Sequence, residues 1–226
     1  MCQRFSMAAE LPEVQEHFQI DRVMYYYKNR YNISPTQYTP VVLQQNGVRI
    51  LDEFRWGFIP YWGKDAINAD LRNVHQNPSY RKMVDKQRCV IPCNGFYYWK
   101  KEGKKEYPVR VVMKNGSMFG VAGLYEIWRD TRGEPLRTCT LVMTDANPLI
   151  GEFESRMPAI LSLENMARWL DENTNDLDAL DPILRPHVTE EMHAYAVTPL
   201  IDNDEHDTDE CIREMDLKRP LVKRLY

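Results

Sequence analysis

From Pro12 to Phe18 the apolar residues Leu11, Val14 and Phe18 recur at helical spacing, and a proline at the start of the run predicts a short amphipathic helix. The pattern then changes to short β-branched and aromatic runs set apart by turn-forming residues. Strands are predicted over Tyr38 to Leu43, Val48 to Phe54, Arg88 to Pro92, Gly95 to Trp99 and Tyr107 to Met113. Asn115-Gly116 lies between Val109 to Met113 and Met118 to Val121 and supplies the positive φ angles of a two-residue turn. Those two runs are therefore expected to pair as a hairpin. A strand over Arg137 to Thr144 leads to a helical turn near Pro148, and a strand over Met157 to Leu161 leads to a helix capped by Ser162 and ending near Leu170. From Asp202 to Glu210 the chain is acidic and reads as a solvated loop. Strands joined by short turns, with helices elsewhere, favour an α+β fold of antiparallel sheets over a parallel doubly wound one. No repeat, low-complexity tract or Gly/Ser linker divides the chain, so 1–226 is expected to form a single domain.

Composition narrows the function classes. With 226 residues, 43% of them apolar, the chain can bury a substantial core, and disorder is excluded as its main state. No apolar run approaches the roughly 20 residues of a membrane helix, and Met1-Cys2-Gln3-Arg4 leads into polar sequence rather than a signal-peptide core. A cytoplasmic protein is expected. Five cysteines, at 2, 89, 93, 139 and 211, are an odd and scattered set and argue for reduced thiols rather than a disulfide framework. The net charge of −4 conceals a split: 21 Lys+Arg against 14 Asp+Glu over 1–140, a net of +7, and 8 against 19 over 141–226, a net of −11. An acidic average can hide a basic face.

Phosphate-loop and dinucleotide fingerprints are absent, which disfavours nucleotide cofactors. Cys89 and Cys93 have the spacing of half a zinc site, but no second Cys or His pair completes four ligands; they read as buried strand cysteines, and no metal is expected. Cys2 stands apart chemically. Removal of Met1 leaves a residue carrying a thiol and an α-amine on adjacent carbons, and the amine titrates near ~7.7 to 8.0, so part of it is nucleophilic at neutral pH. The pair can close on an aldehyde as a thiazolidine, or the amine can serve as the thiol's base in an N-terminal nucleophile hydrolase.

Several segments then occur in order: Met1-Cys2-x-Arg4-Phe5, Tyr31-Asn32-Ile33-Ser34-Pro35-Thr36-Gln37, Arg55-Trp56-Gly57-Phe58-Ile59-Pro60, Ile67-Asn68-Ala69, Cys89-Val90-Ile91-Pro92 with Gly95-Phe96-Tyr97-x-Trp99, Ala122-Gly123-Leu124-Tyr125-Glu126, Thr144-Asp145-Ala146-Asn147 and Arg156-Met157-Pro158-Ala159-Ile160-Leu161. As an ordered set they resemble the SOS response-associated peptidase family, from Cys2 to about residue 200. The resemblance implies curved antiparallel strands in a barrel-like core with flanking helices and a basic groove. It implies a mature N-terminal cysteine that captures the ring-opened aldehyde of an abasic site in single-stranded DNA as a thiazolidine crosslink, with no cofactor and a monomeric protein. By the same matching Cys2 is the nucleophile and Asn68 its polar orienting neighbour. Arg4 and Arg156 are phosphate ligands, and Pro35, Tyr61, Trp62 and Thr144 line the nucleotide path.

The chain departs from the family pattern in three places. Gln3 stands where a glycine is usual. Asp70 replaces the arginine of an Asn-Ala-Arg run, making a phosphate contact repulsive, although Arg72 follows two positions on. Tyr98 stands where the family has a glutamate, and Glu154 where it has a histidine. Two readings fit. Either Glu154 restores the carboxylate from the opposite wall of a shared cavity, with Tyr98 as its hydrogen-bond partner, or the chain binds single-stranded or damaged DNA without covalent capture. Acid catalysis contributes about 10²- to 10⁴-fold, so a slowed crosslinker is expected before an inert one. A cysteine autopeptidase, which the family's name suggests, is the third reading, and it lacks a nearby general base. Trp56 and Trp99 read as core, and Lys100, Lys101, Lys104 and Lys105 as the solvated tip of a hairpin.

Overall fold

The structure, a computed structural model, describes residues 2–58, 66–129, 132–174 and 176–216. In chain order its first elements are β1 (Arg4–Met7), α1 (Leu11–Phe18), β2 (Arg22–Val23), β3 (Arg30–Ile33), β4 (Tyr38–Gln45), β5 (Val48–Trp56), β6 (Asn68–Asp70), α2 (Leu71–Gln76) and α3 (Pro78–Lys86). There follow β7 (Arg88–Cys93), β8 (Gly95–Glu102), β9 (Lys105–Met113), β10 (Phe119–Arg129), β11 (Pro135–Asp145), β12 (Arg156–Pro158), β13 (Ile160–Leu161), α4 (Leu163–Leu170), α5 (Leu177–Leu180) and β14 (Met192–Ala196).

Strands β11, β10, β7, β4 and β5 lie side by side. They close on themselves because β5 returns parallel to β11, Arg55 beside Thr138 and Trp56 beside Cys139. A closed barrel removes the sheet edges that would otherwise stand unpaired. The second sheet runs β14-β9-β8-β1-β3, antiparallel throughout. One of its faces packs on the barrel edge to face, Phe5 against Trp56 at 4.9 Å and Phe96 against Phe119 at 6.0 Å between ring centroids. Its other face buries Tyr97 under Val197, Ile201 and Cys211 of the C-terminal segment. The fold is thus α+β, as expected. Arg88, itself buried, donates to the carbonyls of Val84, Trp169 and Asp171, placing a cation where the C-termini of α3 and α4 converge.

Local signals placed most elements. Val14 and Phe18 are the buried stripe of α1, and Ser162 Oγ accepts the Asn165 amide at the start of α4. At the β8–β9 hairpin Lys101, Lys104 and Lys105 are exposed, as expected of a solvated tip, while Lys100 is half-buried. Three expectations are corrected. Asn115-Gly116 forms a turn, with Gly116 at φ 72° and its amide bonded to Met113 at 2.9 Å, but the flanking strands do not pair. Strand β9 already lies between β8 and β14, and β10 between β7 and β11, so the turn carries the chain from the sheet to the barrel. The strand expected over Met157 to Leu161 is two, because β12 pairs with β11 and β13 with β10. Pro158, at the end of β12, lacks the N–H that would continue the ladder. The acidic stretch from Asp202 is exposed over most of its length, as expected, but it is not a free loop. Asp207 accepts the backbone amides of Tyr31 and Asn32 and pairs with Arg30, docking the segment on β3.

Candidate functional site

Two strands bring the first pair of residues together. Strand β6 runs parallel to β11 with Asn68 beside Leu141 and Asp70 beside Met143, so Asn68 and Asp70 share a face. Asn68 Nδ2 donates to the Cys2 carbonyl at 2.7 Å, while Asn68 Oδ1 is buried with no hydrogen-bond partner among the described residues. The Cys2 side chain is fully buried and its Sγ lies 3.5 Å from the Arg4 carbonyl. Burial, reinforced by nearby Cys93, pushes the Cys2 thiol up to about 12, so it is protonated at neutral pH.

The substituted helper positions share one cleft of about 420 Å³, lined by Gln3, Tyr98, Trp99, Glu152, Phe153 and Glu154 among others. Glu154 is exposed, whereas Tyr98 is buried and stacks on Phe153. The Tyr98 hydroxyl donates to the Arg156 carbonyl at 3.0 Å, so its proton goes to the backbone. Burial, and then the Cys2 and Glu154 side chains, hold that hydroxyl well above the usual tyrosine range. Gln3 lines the same cleft as an exposed side chain.

The arginines are already engaged. Arg156, 5% exposed, pairs through Nη2 with Asp70 at 2.6 Å and through Nη1 with Asp145, and also donates to the Met143 carbonyl at 3.1 Å. Asp70 caps α2 through the Arg72 amide and pairs with the exposed Arg72 guanidinium at 2.7 Å. Bonds from Arg72 first, with help from Arg156, hold the Asp70 carboxyl below its usual range. The residue that the motif made a repulsive intruder is thus the common partner of two arginines. Arg4 donates to Asn32 Oδ1 at 3.1 Å and to the Asp202 carbonyl at 3.1 Å, and pairs with Asp204 at 2.7 Å. Pro35 is half-buried in a turn tied to Trp56 by two backbone bonds of 2.8 Å, and the Trp56 indole donates to the carbonyl of Ile67, next to Asn68. Thr144 is buried in β11 opposite Met157. Tyr61 and Trp62 lie outside the described residues.

Of the residues singled out in sequence, Cys2 and Asn68 meet directly, Tyr98 and Glu154 share a cleft, and Arg72 and Arg156 meet through Asp70. Sequence reasoning missed Phe153, Glu152 and the carboxylates on Arg156 and Arg4. Only the alternation that puts Asn68 and Asp70 on one strand face hinted at any of them. Among the described residues no cluster of three or more His, Cys, Asp or Glu could hold a metal ion, and no helix is long and apolar enough to cross a membrane.

Comparison with known proteins gives the same assignment from several directions. Two solved structures share the fold. A crystal structure of a Bacteroides thetaiotaomicron protein superposes with a TM-score of 0.74 at 26% identity, covering 88% of this chain and 93% of that one. A Bordetella bronchiseptica protein superposes at 0.76 with 22% identity, over 87% of this chain and all of that one. In sequence the chain is 36% identical over 221 residues to the abasic site processing protein YoqW of Bacillus subtilis, spanning 94% of this chain and 99% of the relative. It is 26% identical to the abasic site processing protein HMCES of Rattus norvegicus, over 86% of this chain and 66% of the relative. Residues 1–204 match the family model described as SOS response associated peptidase (SRAP). The chain belongs to the SOS response associated peptidase family.

Proposed function

We propose that this protein processes abasic sites in single-stranded DNA, and that Cys2, exposed as the N-terminal residue by removal of Met1, captures the ring-opened aldehyde. The Cys2 amine condenses with the aldehyde carbon and releases one water. The thiol sulfur then adds to the resulting imine carbon while its proton passes to the nitrogen, closing a thiazolidine. The observation that carries this reading is the Asn68 contact. Its amide already holds the Cys2 carbonyl at 2.7 Å, and its buried, unpartnered oxygen is an acceptor for the mature amine. Because burial keeps the thiol protonated, the amine acts first and the thiol follows on the activated imine.

Glu154 is the acid for sugar opening, since Tyr98 gives its proton to a backbone carbonyl and is a weak acid where it sits. Arg4, Arg72 and Arg156 are the phosphate-side cations, with Pro35 and Thr144 along the nucleotide path; aromatic and guanidinium groups grip single strands without sequence preference. The reading is tested by confirming Met1 loss by intact mass and mixing the protein with single-stranded DNA carrying one abasic site. An adduct resisting denaturant is expected from the native protein and not from Cys2→Ala; equal yields, or none, overturn covalent capture. The committed Tyr98 proton and the buried thiol favour one rival, a non-covalent single-strand binder, which predicts salt-sensitive binding with no adduct.

A further inference from the structure

We infer that the acidic segment 201–207 is an autoinhibitory strap, in which the Asp204 carboxylate occupies Arg4 in place of a DNA phosphate and has to be displaced when single-stranded DNA binds. The inference rests on the reading above that Arg4 is a phosphate ligand.

The strap has a fixed end and a latch. At the fixed end Asp207 accepts the amides of Tyr31 and Asn32, unpaired groups on the edge strand β3, and pairs with Arg30. Asn32 is buried, and its amide donates to the carbonyls of Ile201, Asn203 and His206 at 3.0 to 3.1 Å, pinning the strap's backbone. The latch is different. The Asp204 side chain is 60% exposed, and its carboxylate meets Arg4 Nη2 at 2.7 Å. Arg4 is 13% exposed, but water screens the pair from the Asp204 side, so a phosphodiester, which carries the same single charge and offers Arg4 the same paired bonds, can replace the carboxylate at small cost.

Arg4 is built to survive that exchange. Its other guanidinium nitrogen is held by Asn32 Oδ1, so the cation keeps its orientation when Asp204 leaves. The strap also reaches the cleft. Asp202 accepts the Trp99 indole N–H at 3.1 Å, and Trp99 lines the cleft with Tyr98 and Glu154. One acidic segment therefore touches both a phosphate-side cation and a wall of the reaction site.

The test is equilibrium binding of a fluorescent, undamaged oligothymidylate to the full chain, comparing the wild type with Asp204→Asn, Arg4→Ala and the double variant. Asp204→Asn should tighten binding about two- to fivefold, the range that an exposed ion pair allows, and should leave the melting temperature unchanged. In the Arg4→Ala background the same substitution should have no effect. Unchanged or weaker binding by Asp204→Asn overturns the strap, and so does an equal gain in both backgrounds, which would be a bulk charge effect. If Arg4→Ala alone leaves affinity unchanged, the phosphate role of Arg4 falls, and the strap with it.

Discussion

Asn68 donates its side-chain amide to the carbonyl of Cys2 at 2.7 Å, across 66 residues of sequence. If Cys2 is the N-terminal nucleophile, as proposed, the bond fixes the backbone that carries its amine and thiol, and a loose Asn68 leaves both misaimed.

Asn68→Ala is expected to slow adduct formation by about 10²-fold, the cost of a small misplacement of reacting groups. Binding of undamaged single-stranded DNA should stay within about twofold. Single-turnover rates on denaturing gels, beside equilibrium binding, check both; equal losses in rate and affinity would make Asn68 a binding residue instead.

Glu154→Gln keeps the shape of the cleft wall and removes the acid function. The crosslinking rate should fall by about 10²-fold or more, with undamaged-strand affinity unchanged or slightly higher because a negative charge has gone. A rate equal to the wild type would make the carboxylate a bystander.

Alkaline pH should destabilise the fold. Burial pushes Cys2 and Cys93 up to about 12 and raises Cys89 and Cys139 in the same direction. The folded state keeps these protons where the unfolded chain gives them up, so their contribution is complete below about pH 9 and is lost as pH rises toward 12. Melting temperatures should hold level to about pH 9 and decline above it, and Cys93→Ala should lessen the decline.

Asp70 and Asp145 both pair with Arg156 but differ in exposure, 11% against 79%. Asp70→Asn leaves a buried cation short of its enclosed partner and is expected to cost about 3 kcal/mol. Asp145→Asn should cost less than about 1 kcal/mol. Urea denaturation of the two variants gives the comparison, and equal losses would contradict the assignment of Asp70 as the main counter-ion.

Two Asn-Gly pairs show how far the sequence could be read. At Asn46-Gly47 both residues have positive φ, 52° and 78°, and Gln45 faces Val48 across a two-residue hairpin. At Asn115-Gly116 a turn forms as well, yet its strands belong to different sheets. The dipeptide specifies the turn, while pairing depends on which edges distant strands have already taken. The same division holds at the site. Cys2 and Asn68 were legible because each sits in a distinctive short segment. The hold of Asp204 on Arg4 joins residues 200 positions apart, and the bonds from Arg156 to Asp70 and Asp145 depend on β6, β11 and β12 aligning. No local pattern encodes either.

Strand β11 takes β5 at Thr138 and Cys139, β6 at Leu141 to Met143 and β12 at Met143 to Asp145. Its residues act as a single ruler, with the barrel seam at one mark, Asn68 a few marks further and Arg156 at the end. A one-residue insertion between Cys139 and Leu141 would shift Asn68 and Arg156 together by about 3.3 Å relative to the seam and turn their faces over. Any change in the spacing of these groups has therefore to come from the loops that lead to β11 and not from the strand itself.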